Sequence, residues 1–297
     1  MAKFINPFTD WGFKKIFGQE INKDLLIKFL NDLLDGEIHI TDLTFHDKEQ
    51  PAGLRDMRGI IYDIYCTTNT GEHVIVEMQN RFQEYFTDRS LFYAARTIVN
   101  QGVKGADWDY QLHPVYTICF LNFKEGEPST QKFRTDVTLM DIQNARVYSN
   151  KLRFVYLTLP LFEKEEQECE SDFERWIFIL KNMSTFERMP FLARNAVFKK
   201  LAEIADISAL SKEDRDKYDE SIKNLRDYQA TMNTARKEGL AEGRAEGRAE
   251  GRAEGRAEGA KERNKEIAKN LLSIGLSIKQ ICQTIDLTEA EVKTLMS

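Results

Sequence analysis

Gly59-Ile60-Ile61-Tyr62-Asp63-Ile64-Tyr65-Cys66, followed by His73-Val74-Ile75-Val76-Glu77-Met78-Gln79, is the stretch that decides the fold. Val74, Val76 and Met78 alternate with Ile75, Glu77 and Gln79, the period-two pattern of a strand. Thr68-Asn69-Thr70-Gly71-Glu72 supplies turn chemistry between the two runs, so they read as a hairpin. A hairpin centred on Thr70 sets Asp63 directly opposite Glu77, with their Cβ atoms about 5 Å apart. Two like charges at that spacing repel, and a strand pair gains nothing from them. A hard divalent cation reverses the sign, because Mg²⁺ takes oxygen ligands at roughly 2.1 Å and is commonly held by one or two carboxylates. Gln79 projects to the same side as Glu77 and can orient a water there. Tyr62, Ile64, Cys66, Val74, Val76 and Met78 are expected to face the other way, into a core.

Asp63, a turn, then Glu77-x-Gln79 resembles the Asp, Glu-x-Lys/Gln pattern of the PD-(D/E)XK nuclease superfamily. Asn6-Pro7-Phe8-Thr9-Asp10-Trp11-Gly12-Phe13-Lys14-Lys15-Ile16-Phe17-Gly18 resembles the opening signature of its recombination-promoting nuclease/transposase (Rpn-type) family. Asp88-Arg89-Ser90-Leu91-Phe92-Tyr93-Ala94-Ala95-Arg96 and Tyr110-x-Leu112-x-Pro114-Val115-Tyr116-x-Ile118 follow in that family's order. Each motif alone is weak, whereas their order and spacing together are specific. Two departures stand out: Tyr62 sits where a proline often precedes the first catalytic Asp, and Gln79 replaces the superfamily's usual lysine.

The resemblance implies a metal-dependent DNA endonuclease acting in recombination or mobile-element biology. Asp63 and Glu77, joined by the main-chain carbonyl of Met78, would hold Mg²⁺, with Mn²⁺ able to substitute. Gln79 would position the attacking water, yet its amide does not ionise and cannot serve as the base. The nucleophile's proton would then go to bulk water, a substrate phosphate or a lysine from elsewhere, Lys14 and Lys15 being the nearest. They are also candidates for phosphate contact, or simply solvated. Asp10 is either an extra acidic ligand or, with Thr9, a cap for the first helix. Arg81, at the mouth of the site, is the better substrate contact. Arg89, Tyr93 and Arg96 share one helical face, which tracks a phosphate backbone or is tethered through Glu84 or Asp88. Two other function classes remain open: a non-catalytic DNA-binding or assembly protein, and an RNA-cleaving toxin with the same site.

Periodicity orders the rest. Leu25, Leu26, Phe29, Leu30, Leu33 and Leu34 mark a helix after the one opening at Thr9 or Asp10. A first strand is expected over 38–45, a helix over 86–100, a buried strand over 115–121, and further strands over 133–139 and 152–159. That order is an α/β fold, an α/β/α sandwich with a mixed sheet and helical C-terminal segments. Helices are expected over 173–183, 191–205 and 218–234. The 297 residues therefore divide into a nuclease core (1–160), a helical extension (161–235), a repeat segment (236–262) and a small helical module (263–297).

The net charge of -6 is awkward for a nucleic-acid enzyme, but a chain total says little where charges segregate, as in the acidic run Glu163–Glu170. Cys66, Cys119, Cys169 and Cys282 form no CxxC pair, which argues against zinc or a disulfide framework. With no signal-peptide-like start and no run of roughly 18 apolar residues, a cytoplasmic protein without a membrane partner is expected.

The repeat Ala241-Glu242-Gly243-Arg244 recurs through Gly259. Its five glycines from Gly243 to Gly259 cost roughly 4–5 kcal/mol in a continuous helix. Residues four apart are identical, so charges at that spacing repel. The segment is either a semi-flexible charged spacer or a self-associating helix. Beyond it, Ser277 with Gln280 and Thr288 with Glu291 form capping boxes opening two short helices, a helix-turn-helix-like module. Glu289 and Glu291 would repel DNA at the last helix's start, so protein interaction competes with DNA reading. Besides DNA, the expected partner is a second copy of the chain, bound through this C-terminal region.

Overall fold

Short apolar runs set a six-stranded mixed sheet at the centre of the protein, seen in a computed structural model that describes residues 2–47, 49–50, 60–102, 109–124, 132–192 and 194–295. The strands are β1 (Leu43–Phe45), β2 (Glu49–Gln50), β3 (Ile60–Ile61), β4 (Ile64–Thr68), β5 (His73–Gln79), β6 (Val115–Leu121), β7 (Arg134–Asp141) and β8 (Arg146–Thr158). The sheet runs β1-β4-β5-β6-β8-β7, while β2 and β3 form a separate ribbon. Only β5–β6 and β6–β8 are parallel. The parallel centre is buried on both faces, which is why β6 is apolar at nearly every position.

Helices cover the two faces. Helices α1 (Asp10–Phe17), α2 (Lys23–Leu33), α4 (Asp172–Asn182) and α5 (Ala196–Ala205) meet one face of the sheet. Their contact is aromatic: Phe13 packs edge-on against Phe120 at 5.6 Å, and Trp176 against Phe198 at 5.2 Å. On the other face, α3 (Phe86–Val99) brings Ala94 over Tyr62, Tyr65, Ile75, Val115 and Phe154. This is an α/β/α sandwich with a helical C-terminal part.

Several elements differ from the sequence reading. Only 43–45 of the expected first strand pairs with β4. Upstream, the Asn31 side chain donates to the Ile40 carbonyl and accepts from its N–H, both at 2.8 Å, so Ile40 is buried without a strand partner. Tyr62 does not point with Ile64. The chain breaks between β3 and β4 at Tyr62 and Asp63, and Tyr62 packs on the α3 side. Helix α5 starts at Ala196 rather than 191, because Phe191 takes a left-handed φ of 59° and Asn195 caps the helix. Gly59 lies outside the described residues.

The chain forms two compact units, 1–225 and 226–297. Helices α4 and α5 share the first unit's core, so the helical extension of the nuclease domain packs as part of the sandwich. Helix α6 (Lys212–Ser273) is continuous through the repeat, where the expectation ended a helix at 234 and left the repeat as either a spacer or a self-associating helix. In the second unit, α7 (Ile278–Thr284) and α8 (Glu289–Thr294) fold with the end of α6 around Ala268, Ile281, Leu287 and Val292. Both capping boxes form, and Lys261 pairs with Glu291 at 2.8 Å. Among the described residues, no helix is long and apolar enough to cross a membrane.

A Cβ built at Gly243, Gly247, Gly251, Gly255 or Gly259 meets nothing within 4 Å. Replacing all five with alanine therefore adds about 1 kcal/mol of helix propensity per site at no steric cost. The expected outcome is a helical circular-dichroism signal that survives to higher temperature in the full chain. An unchanged melt would show that glycine does not limit this helix.

Candidate active site

The site sits where β5 ends, and the hairpin register builds it. Ile64 pairs with Val76, Tyr65 with Ile75 and Cys66 with Val74, which centres the hairpin on Thr70. Gly71, at φ 97°, makes the turn. The same register carried one step on brings Asp63 to Glu77. The Asp63 N–H donates to Glu77 Oε1 at 3.3 Å, and Asp63 Oδ2 accepts from the Met78 N–H at 2.8 Å. Each carboxylate thus spends one oxygen on the backbone and keeps one.

Glu77 is only 4 % exposed. Burial, then the neighbouring Asp63 charge, push its carboxyl up to about 8. Burial also raises Asp63, against the opposing pull of the Met78 N–H. Lys14 and Arg89 favour the ionised form of both groups. The metal-free pair therefore holds a proton near neutral pH, as two crowded buried carboxylates must.

Asp63, Met78 and Gln79 open onto a cavity of about 230 Å³. Asp10 and Arg81 line it too, with Asn80, Ser221 and Asn224. Asp10 does not cap α1. Thr9 does, its Oγ1 accepting from the Gly12 N–H at 3.0 Å, and Asp10 pairs instead with Lys14 at 2.5 Å. Lys15 is bound to Asp214 at 2.8 Å, its ammonium over the Trp11 ring. Arg89 is tethered to neither Glu84 nor Asp88. It donates to Gln83 Oε1 at 2.6 Å and lies over the rings of Phe86 and Tyr93. Arg96 is half-buried beside the Tyr62 phenol.

The sequence reading missed a polar clamp that holds these parts together. Asn80 donates to the Phe8 carbonyl and accepts from Asn122 Nδ2 at 3.1 Å, while the Asn122 N–H bonds the Gln79 carbonyl at 2.8 Å. The clamp ties the loop before α1 to the ends of β5 and β6. An asparagine directly after Glu-x-Gln was the available signal. Ser221 and Asn224 lie more than 140 positions from Asn80 on α6, and no local pattern points to them.

Among the described residues, no cluster of three or more His, Cys, Asp or Glu is gathered to hold a metal ion. The two carboxylates still suit a hard divalent cation: both donors are oxygens, and each keeps one unused by the backbone. The Met78 N–H is spent on Asp63, so only its carbonyl remains to join them.

A folded-state value near 8 against an ordinary 4.5 fixes the pH dependence. Below about 4.5 Glu77 is protonated whether folded or not; as pH rises through about 8, the folded chain loses the stability that proton carried. At pH 8 and without metal, Glu77→Gln should therefore raise the melting temperature by roughly 5 °C or more, with little change at pH 4. Mg²⁺ or Mn²⁺ should stabilise the wild type at pH 8 and not the variant. Coincident melts of both proteins at every pH would reject the buried-pair reading.

No curated protein and no solved structure matches the chain. A protein family does: the one described as PD-(D/E)XK nuclease family transposase matches residues 7–235, which span the whole sandwich and the start of α6. The chain belongs to the PD-(D/E)XK nuclease family transposases.

Proposed function

We propose that the protein is a Mg²⁺-dependent endodeoxyribonuclease, with Mn²⁺ able to substitute, and that it serves DNA recombination or element mobility in the bacterial cytoplasm. The observation that carries this reading is the juxtaposition of buried Glu77 with Asp63, which opens with Gln79 onto a cavity. Asp63, Glu77 and the Met78 carbonyl would hold the metal. When bound, it supplies Lewis acidity that activates a water and offsets charge on the phosphate.

The chain's own residues do the remaining work. Gln79, on the cavity wall, orients the attacking water through its amide, and the water's proton leaves by another route because the amide cannot take it. Lys14, whose charge acts on both carboxylates, is the nearest candidate acceptor, and it would take that proton only as the neutral amine, released from Asp10. Arg81 lines the cavity and meets substrate phosphate, while Arg89 adds positive charge where the transition state gains negative charge. Lys15, spent on Asp214, steadies α1 against α6.

Nicking of supercoiled plasmid tests the reading. Asp63→Ala should abolish metal-dependent cleavage while the fold is kept, and Gln79→Leu should lose roughly 100-fold or more. Gln79→Lys should retain activity, because lysine restores a donor with a charge. Wild-type rates in Asp63→Ala would overturn the assignment, and faster cleavage of an RNA substrate would move the protein to the RNA-cleaving class.

Double-strand cleavage needs two such sites, and one chain carries one pair. We propose a homodimer formed through the C-terminal region. Sedimentation should show a full-length dimer at micromolar concentration and a monomer for residues 1–235, which nicks but makes few double-strand breaks. A monomeric full-length chain, or a truncated form that still dimerises, would remove this role from the tail.

A further inference from the structure

We propose that a second cavity, walled by Tyr85, Phe92 and Tyr93, is a nucleobase pocket that takes an unpaired base of the strand being cut. The proposal deepens the nuclease reading and rests on it. The cavity holds about 580 Å³, within the roughly 300–1,000 Å³ range of ordinary small-molecule sites. Tyr85 is 67 % and Phe92 47 % exposed, so both rings on its wall are accessible to a ligand.

Its polar groups choose between ligands. Gln83, Glu84 and Asp88 line it together with Arg89. Two carboxylates make it a poor seat for a phosphate. They are good acceptors for the exocyclic amines and ring N–H groups of bases, and the glutamine amide both donates and accepts. Aromatic walls with a mixed donor and acceptor rim match a base's faces and its edge together.

Arg89 joins this cavity to the carboxylate pair. It lines the cavity, and its charge acts on both Asp63 and Glu77. The chain makes the same connection, since β5 ends at Gln79 and the cavity begins at Gln83. A base seated between Tyr85 and Phe92 would bring its neighbouring phosphate toward the pair past Arg89. The selected substrate is then a strand with accessible bases, such as a single-stranded end, a flap or a melted junction, in preference to an intact duplex.

The test is a titration of the full chain, in EDTA so that cleavage is silent, against a single-stranded oligodeoxynucleotide carrying one 2-aminopurine, and against its duplex. The expected result is quenching and tighter binding for the single strand. Phe92→Ala and Tyr85→Ala should each weaken that binding roughly 5- to 100-fold, with rescue by Phe92→Tyr and Tyr85→Phe. Equal binding by wild type and Phe92→Ala, or no preference for single strand over duplex, overturns the pocket. Loss of quenching with plasmid nicking intact condemns the pocket alone; quenching without any metal-dependent nicking condemns the nuclease reading alone.

Discussion

A slip of one residue between β4 and β5 would send every side chain of β5 to the opposite face. Glu77 would leave Asp63, and Val74, Val76 and Met78 would leave the core they share with α1 and α2. The register is held from three sides. The turn fixes its centre, the β6 pairing locks β5 from His73 to Gln79, and the two apolar clusters reward only one assignment of faces. The crowding of two carboxylates is thus imposed by a hairpin whose stability comes from elsewhere, which is how a fold can maintain two groups that repel.

The opening run of the chain has a plain physical content. Asn6 turns the backbone by accepting from the Phe8 N–H at 2.9 Å, and Thr9 caps the helix. A Cβ at position 12 would come within 2.3 Å of the Asn6 carbonyl, so only glycine fits. Phe13, Ile16 and Phe17 then anchor α1 in the core. Asn, Thr and Gly each serve the entry to one helix, and that helix delivers Asp10 and Lys14 to the edge of the site.

What the sequence made legible was local. Alternation over 73–79 located the hairpin, and the apolar run 115–121 located β6 to the residue. The errors came where a distant side chain replaced a local rule. Asn31 satisfied Ile40 and removed the need for a strand; Phe191 in a left-handed turn delayed a helix that its periodicity had promised. The site followed the same division. That Asp63 meets Glu77 could be read from the hairpin spacing, whereas Ser221 and Asn224 reach the cavity wall through contacts that no window of sequence contains. Lys14 and Lys15 are adjacent and look alike, yet one pairs with Asp10 on its own helix and the other is held by Asp214, 199 residues away.

The four-residue repeat of α6 meets a helix that turns once in 3.6 residues. Each Ala-Glu-Gly-Arg unit therefore advances the chain by about 6 Å and overshoots a whole turn by about 40°. Glycine, glutamate and arginine rows wind around the axis as a slow screw, and no face stays apolar or of one sign for long. Copy number becomes a vernier. Adding or deleting one unit shifts the terminal α7–α8 module along the axis and rotates it by a fixed step against the start of the array. About nine units would bring it back to its original bearing. A tract whose units are interchangeable can thus tune where that module points without altering a single residue of it.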